Sequence, residues 1–242
     1  MLNQNLGPLG ALHQERRISI LANNLSNSMT VGFKKDIPVF NSIFYHEQEQ
    51  LRNQKMEATQ TDFSQGELQR TGNDLDLALT GEGFFKISTP LGIRYSRAGN
   101  FRLDPQGRLV NAGGFPVLGE AGEIILDGKK KITVGTDGTI RAQGAEANST
   151  AETAGKPAFV RFKDPSLLKK EGHALFRLDE PQAELGADGL EVQQGYLETA
   201  NVNAVEEMTK MMEAFRTYET CLKMIQANDQ LNDKAVNEVG RT

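Results

Sequence analysis

The side chains best suited to chemistry are few in this chain and poorly spaced for it. His13, His46 and His173 are its only histidines, and no second ligand accompanies any of them at metal-site spacing. The single cysteine, Cys221, sits among apolar neighbours with no nearby cation to lower its pKa, so it reads as a buried, unreactive thiol. One cysteine also excludes an intrachain disulfide and a cysteine-based zinc site. Asp74-Leu75-Asp76 lacks the oxygen-rich continuation of a calcium loop, and its alternation with Leu77 and Leu79 places both acids on the solvent side of a strand. Gly81-Glu82-Gly83 has neither the third glycine of a dinucleotide fingerprint nor the Lys-Ser/Thr of a phosphate loop. Lys129-Lys130-Lys131 adjoins a strand and reads as a charged edge that discourages sheet-to-sheet aggregation. These residues predict a protein that is not an enzyme and holds no cofactor and no metal. Only a carboxylate pair formed in space would reopen a hydrolase reading.

Bulk charge narrows the partners. Lys and Arg number 27 against 32 for Asp and Glu, a net charge of −5, which is not the footprint of a nucleic-acid binder. The first residues carry no positive n-region followed by an apolar run, and no stretch approaches membrane-spanning length. The expectation is no membrane insertion and no cleaved secretory signal.

Glycine placement shows which elements hold these residues. Of 24 glycines, 17 fall between Gly81 and Gly189, and six of the eight prolines lie in the same window. Such punctuation predicts many short strands joined by tight turns. Phe84 to Ile87 and Ile93 to Arg97 flank the turn Thr89-Pro90-Leu91-Gly92. Phe101 to Leu103 and Arg108 to Val110 flank Asp104-Pro105-Gln106-Gly107, and Ile132 to Val134 and Thr139 to Arg141 flank Gly135-Thr136-Asp137-Gly138. Phe159 to Phe162 and Leu175 to Leu178 read as further strands, with Gly144 to Pro157 a surface loop between.

The two ends differ from this middle. After Gly195 there is no glycine until Gly240 and no proline, which predicts one long helix. Ala204, Met208, Met211, Phe215, Tyr218, Leu222 and Ile225 step by fours and threes, the spacing of a seam that faces another helix. Near the start, Leu2, Leu6, Leu9, Leu12, Ile18, Leu21 and Leu25 mark a second helix, interrupted by His13, Arg16 and Arg17. The fold class expected is therefore α+β, with long N- and C-terminal helices as a coiled-coil-like pair bracketing a β-rich middle. The predicted divisions are an N-terminal helix and Gly-Phe loop over 1–33, an extended or conditionally ordered connector over 34–65, the β-rich domain over 66–192 and the C-terminal helix over 193–242.

Two asparagine-rich segments exceed what helix capping needs. One is Ala22-Asn23-Asn24-Leu25-Ser26-Asn27 with Thr30 and Gly32-Phe33-Lys34. The other is Thr199, Asn201-Val202-Asn203 and Glu206-Glu207-Met208, where Asn203 and Glu206 are placed for a capping box. With Gly66-Glu67-Leu68, Thr71 to Leu79, Gly81 to Phe85, Tyr95 to Phe101, Gly107 to Val110 and Gly113 to Gly119, they make the chain resemble the bacterial flagellar basal-body rod and hook family over nearly its whole length.

The resemblance implies a structural subunit that polymerises through its terminal helices into a torque-transmitting tube. Its short connector is most similar to the proximal rod protein that precedes the distal rod, with a distal rod or hook-type subunit as the alternative. It further implies a place in the basal-body rod within the periplasmic space, contacts with other rod subunits and with copies of itself, and passage through the flagellar export apparatus. The residues expected to carry assembly are Asn23, Asn24, Leu25, Asn27, Gly32 and Phe33 at the first junction. At the second they are Asn201, Val202, Asn203, Glu206 and Glu207, continuing along the helix through Met208, Met211, Phe215, Tyr218, Leu222 and Ile225. Outside this family the residues leave open a wall hydrolase or a β-rich binding module.

Overall fold

The computed structural model describes residues 6–39, 59–126, 131–144, 152–179, 184–186 and 189–239. His46, the Gln/Glu-rich run that follows it, Leu2, Lys129 and Lys130 lie outside them. The chain divides into two compact units, neither continuous in sequence: a helical unit of residues 1–27, 36–60 and 202–242, and a β unit of 28–35 and 61–201.

The helical unit holds helix α1, Leu6–Ser26, and helix α2, Ala204–Val239. Pro8 falls in the first turn of α1, where its missing N–H costs no hydrogen bond. At 1.5 Å per residue the two helices are about 32 and 54 Å long. They run antiparallel: a Cβ built on Gly7 would lie 3.0 Å from Ile225, and one on Gly10 would lie 3.2 Å from the Cys221 sulfur.

The β unit is built on a six-stranded antiparallel sheet. Its order is Leu168–Gly172, Leu175–Leu178, Gly92–Ser96, Phe84–Thr89, Phe159–Phe162, Glu184–Gly186. Phe84 and Phe85 are consecutive and so point to opposite faces, and each seeds a core. Phe85 packs with Leu77, Leu79, Ile87, Phe101 and Ile140 on one side. Phe84 packs with Tyr95, Val160, Phe162 and Phe176 on the other. A three-stranded sheet, Lys131–Val134, Ile140–Gln143 and Glu152–Gly155, adds to this framework. Leu77–Thr80 pairs with Glu191–Gln194, and Leu68–Arg70 with Tyr196–Glu198.

The α+β expectation is corrected by the balance of elements: among the described residues strand outweighs helix, 39 % to 28 %. The fold is mainly β, with two unequal helices bracketing the β-rich middle. Strand appears where composition concealed it. Leu168–Gly172 is lysine-rich, and Glu152–Gly155 lies in the stretch read as a loop. Both pair with a neighbour along their length, so partner geometry and not apolar content made them strands. Asp76 departs from the solvent face assigned to it. It is buried, and its carboxylate accepts hydrogen bonds from Thr71 Oγ1 at 2.6 Å and Asn73 Nδ2 at 3.1 Å.

Candidate assembly site

The asparagines divide the work at the two ends of the helices. At the end of α1 the Asn23 carbonyl accepts from the Asn27 amide nitrogen, the Asn27 side chain and Ser26 Oγ, which satisfies a helix-terminal acceptor locally. The Asn23 side chain is exposed. Asn24 is buried and reaches further. Its Oδ1 accepts from the Asp36 N–H at 2.9 Å, and its Nδ2 donates to the Asp36 carbonyl at 2.9 Å and to Glu207 Oε2 at 3.2 Å. One amide thus ties the end of α1 to the strand Asp36–Pro38 and to the first turn of α2. Leu25 is half-buried beside it.

Asn203 is the cap of α2: its Oδ1 accepts from the Val205 and Glu206 N–H groups at 3.1 and 3.3 Å. Glu206 and Glu207 in the first turn complement the positive end of the helix dipole. Lys210 pairs with Glu206 at 2.7 Å, and the Glu206 carboxylate holds the Lys210 ammonium above its usual pKa. Val202, half-buried, leads into this cap.

Along α2 the structure places the predicted stripe on two faces. The face against α1 is Glu207, Met211, Ala214, Tyr218, Cys221 and Ile225, each buried or half-buried. Met208, Phe215 and Leu222 lie on the adjacent face with Val205 and Met212. There Met208 is 47 % exposed, Met212 54 % and Phe215 46 %. Positions 205, 208, 212, 215 and 222 repeat at heptad spacing, so they form a second apolar stripe running beside the filled seam.

In the β unit a buried charge cluster holds the segments that lead toward both helices. Glu198 Oε1 accepts from Lys34 Nζ at 2.5 Å and from the Gly66 N–H at 2.9 Å, while its Oε2 faces Arg97 Nη1 at 3.4 Å. All three side chains are essentially removed from solvent. Burial drives the Lys34 pKa down, with Glu198 opposing the fall, and burial likewise lowers Arg97 against Glu198 and Glu82. Lys34 also donates to the Ser64 carbonyl and Arg97 to the Gly81 carbonyl. The Glu198 carbonyl accepts from the Gly32 N–H at 2.8 Å. Gly32 sits at φ +67°, and a Cβ there would meet the Ala98 nitrogen at 2.3 Å, so only glycine lets the loop close on this backbone. Phe33 is buried, with the Lys170 ammonium 4.4 Å from its ring centre. Asn201 completes the junction. It accepts from the Lys35 N–H at 2.7 Å and donates to the Asp62 carbonyl at 2.9 Å.

Sequence reasoning missed Lys34, Arg97 and Glu198 as a group. Each belongs to a motif quoted above or adjoins one, yet nothing in linear order marks two cations and one anion as buried together. The signal present was a charged residue beside apolar ones in three separate segments: Phe33-Lys34, Tyr95-Ser96-Arg97 and Leu197-Glu198.

Locally capped helix ends, a loop that only Gly32 can close and a second apolar stripe beside the filled α1–α2 seam are the features these residues build. Residues 78–142 match the model of the flagellar hook protein FlgE/F/G D1 domain, and residues 193–238 match that of the flagellar basal body rod FlgEFG protein C-terminal region. The chain is 35 % identical to the flagellar basal-body rod protein FlgF of Caulobacter vibrioides, covering 93 % of each chain. It is 33 % identical to the FlgG rod protein of Borreliella burgdorferi, covering 92 % of each, and 30 % identical to that of Bacillus subtilis, covering 96 % of each. The chain belongs to the flagellar basal-body rod protein family and is a structural rod subunit.

Proposed function

We propose that this subunit assembles into the rod through its terminal helices, and that the exposed α2 stripe is the surface that engages neighbouring subunits. One observation carries this reading: Val205, Met208, Met212, Phe215 and Leu222 remain exposed beside a seam that α1 already fills. Burying each large side chain is worth roughly 1.5–3 kcal/mol, so covering the stripe supplies a driving force for association. In this role the protein is not an enzyme but a segment of a torque-transmitting shaft. Asn23, Asn24, Leu25, Asn27, Gly32, Phe33, Asn201, Val202 and Asn203 set the geometry at the junctions. The partners are other rod subunits and further copies of this chain. The short stretch between α1 and the β domain favours the proximal rod that precedes the distal rod, in the periplasmic space, reached through the flagellar export apparatus. Among the described residues no helix is long and apolar enough to cross a membrane.

The test is a Met208→Glu/Phe215→Glu chain expressed in a flagellated cell lacking the native subunit. Both positions face solvent, so helicity by circular dichroism should be retained while incorporation into isolated basal bodies and swimming are lost. Normal incorporation by this variant would refute the reading.

A further inference from the structure

We infer that the α2 stripe is also an oxidation site: sulfoxidation of Met208 and Met212 by a peroxide-class oxidant switches off the association that the stripe supports. The inference rests on the proposed role of that stripe. Met208 and Met212 lie at i and i+4, either side of one turn, and with Phe215 they make the bulky centre of the exposed face. Their thioethers are open to a small oxidant in the free subunit, whereas Met211, one position away, is half-buried in the seam with α1. The reaction balances without a metal or a second protein group. The thioether sulfur attacks one oxygen of hydrogen peroxide as the O–O bond breaks, that oxygen is transferred to sulfur, and the displaced oxygen takes up the proton and leaves as water. Each event is a two-electron oxidation of sulfur and reduction of peroxide. The product is a polar, chiral sulfoxide in the middle of an apolar stripe, and its desolvation opposes burial. Methionine sulfoxide is enzymatically reducible, so the block is reversible. Once neighbours cover the stripe the sulfurs are shielded, so the switch acts on unassembled subunits.

The molecule contains its own control. Met29 is 94 % exposed in the loop after α1, and Met224 is 55 % exposed on α2. Met224 lies about 160° around the helix from Met208 and so is off the stripe. Purified full-length chain is treated with hydrogen peroxide, its sulfoxides are mapped by peptide mass spectrometry, and its binding to a purified rod subunit is measured. Met208 and Met212 should oxidise ahead of Met211, and binding should weaken on the order of tenfold per sulfoxide buried. A Met208→Leu/Met212→Leu chain keeps the apolar volume. Measured against its own affinity before treatment, its binding should not change on treatment although Met29 and Met224 are oxidised. Undiminished binding by wild-type chain carrying both sulfoxides would overturn the inference, as would equal loss in the leucine variant or earlier oxidation of Met211. Equal binding by unoxidised wild type and the Met208→Glu/Phe215→Glu chain would instead overturn the role of the stripe itself.

Discussion

Glu198 is a buried carboxylate set against two buried cations, Lys34 and Arg97. Removing one member of such a cluster costs more than the interaction it contributes, because the remaining charges stay desolvated. Glu198→Gln leaves two cations uncompensated and should destabilise the β unit by about 3–5 kcal/mol. Lys34→Met leaves Glu198 with Arg97 and the Gly66 N–H, so its cost should be smaller, about 1–3 kcal/mol. The double variant should cost less than the sum, and urea unfolding of the four chains measures this coupling. Additivity within half a kcal/mol would show that the two residues act independently. The sign of the pH dependence follows from burial. The Lys34 pKa lies below the ordinary 10.5, so the folded chain releases this proton before the unfolded chain does. Lys34 therefore makes stability rise with pH across the window between its folded pKa and 10.5. Lys34→Met should flatten that rise.

Among the elements, the α1–α2 pair shows why some of the site was legible and some was not. Steps of four and three are satisfied by two neighbouring faces of one helix, and the expected stripe joined Met211, Tyr218 and Ile225 of the seam to Met208, Phe215 and Leu222 of the exposed face. The face that meets α1 also carries Glu207, Ala214 and Cys221, one charged and two small residues outside that stripe. What selects it is the small surface of α1 at Gly7, Gly10 and Ala11, where backbones approach closely enough for Cys221 and Ile225 to fill the gap. Asn24 on α1 also supplies the donor that lets Glu207 be buried. Hairpins were legible because turn residues mark them locally. The charge cluster and the choice of helix face depend on partners distant in sequence, and no local pattern records those. Gly10→Leu tests the close approach. It raises helix propensity by nearly 1 kcal/mol, but overpacking against Cys221 should cost about 1–3 kcal/mol. The expected result is a net loss of helical-unit stability, followed by ellipticity on heating; a gain would show that the seam has room.

Over the whole molecule, the two units differ in how much each has to lose by opening. The β unit buries two aromatic-rich clusters on opposite faces of one sheet and adds a charge cluster whose members pair with one another and with backbone groups. Among the described residues, the helical unit has a seam between α1 and α2 that includes Gly7, Gly10, Asn24 and Glu207, and large apolar side chains of α2 are left exposed. Less apolar area is removed from water per residue of helix, so opening α1 from α2 costs less than opening the sheet. Amide exchange in the free subunit should therefore be faster for the seam residues of α1 and α2 than for Phe85 or Ile87, whose exchange tracks global unfolding. On binding a neighbouring rod subunit, protection should rise along α2 between 205 and 222 and leave the sheet unchanged. Helices that exchange as slowly as the sheet in the free chain would mean that the pair is already complete without neighbours. An unchanged α2 in the complex would move the association surface elsewhere. Both outcomes can be read from one exchange series at subunit concentrations below and above association, because the sheet amides provide the internal standard for global stability.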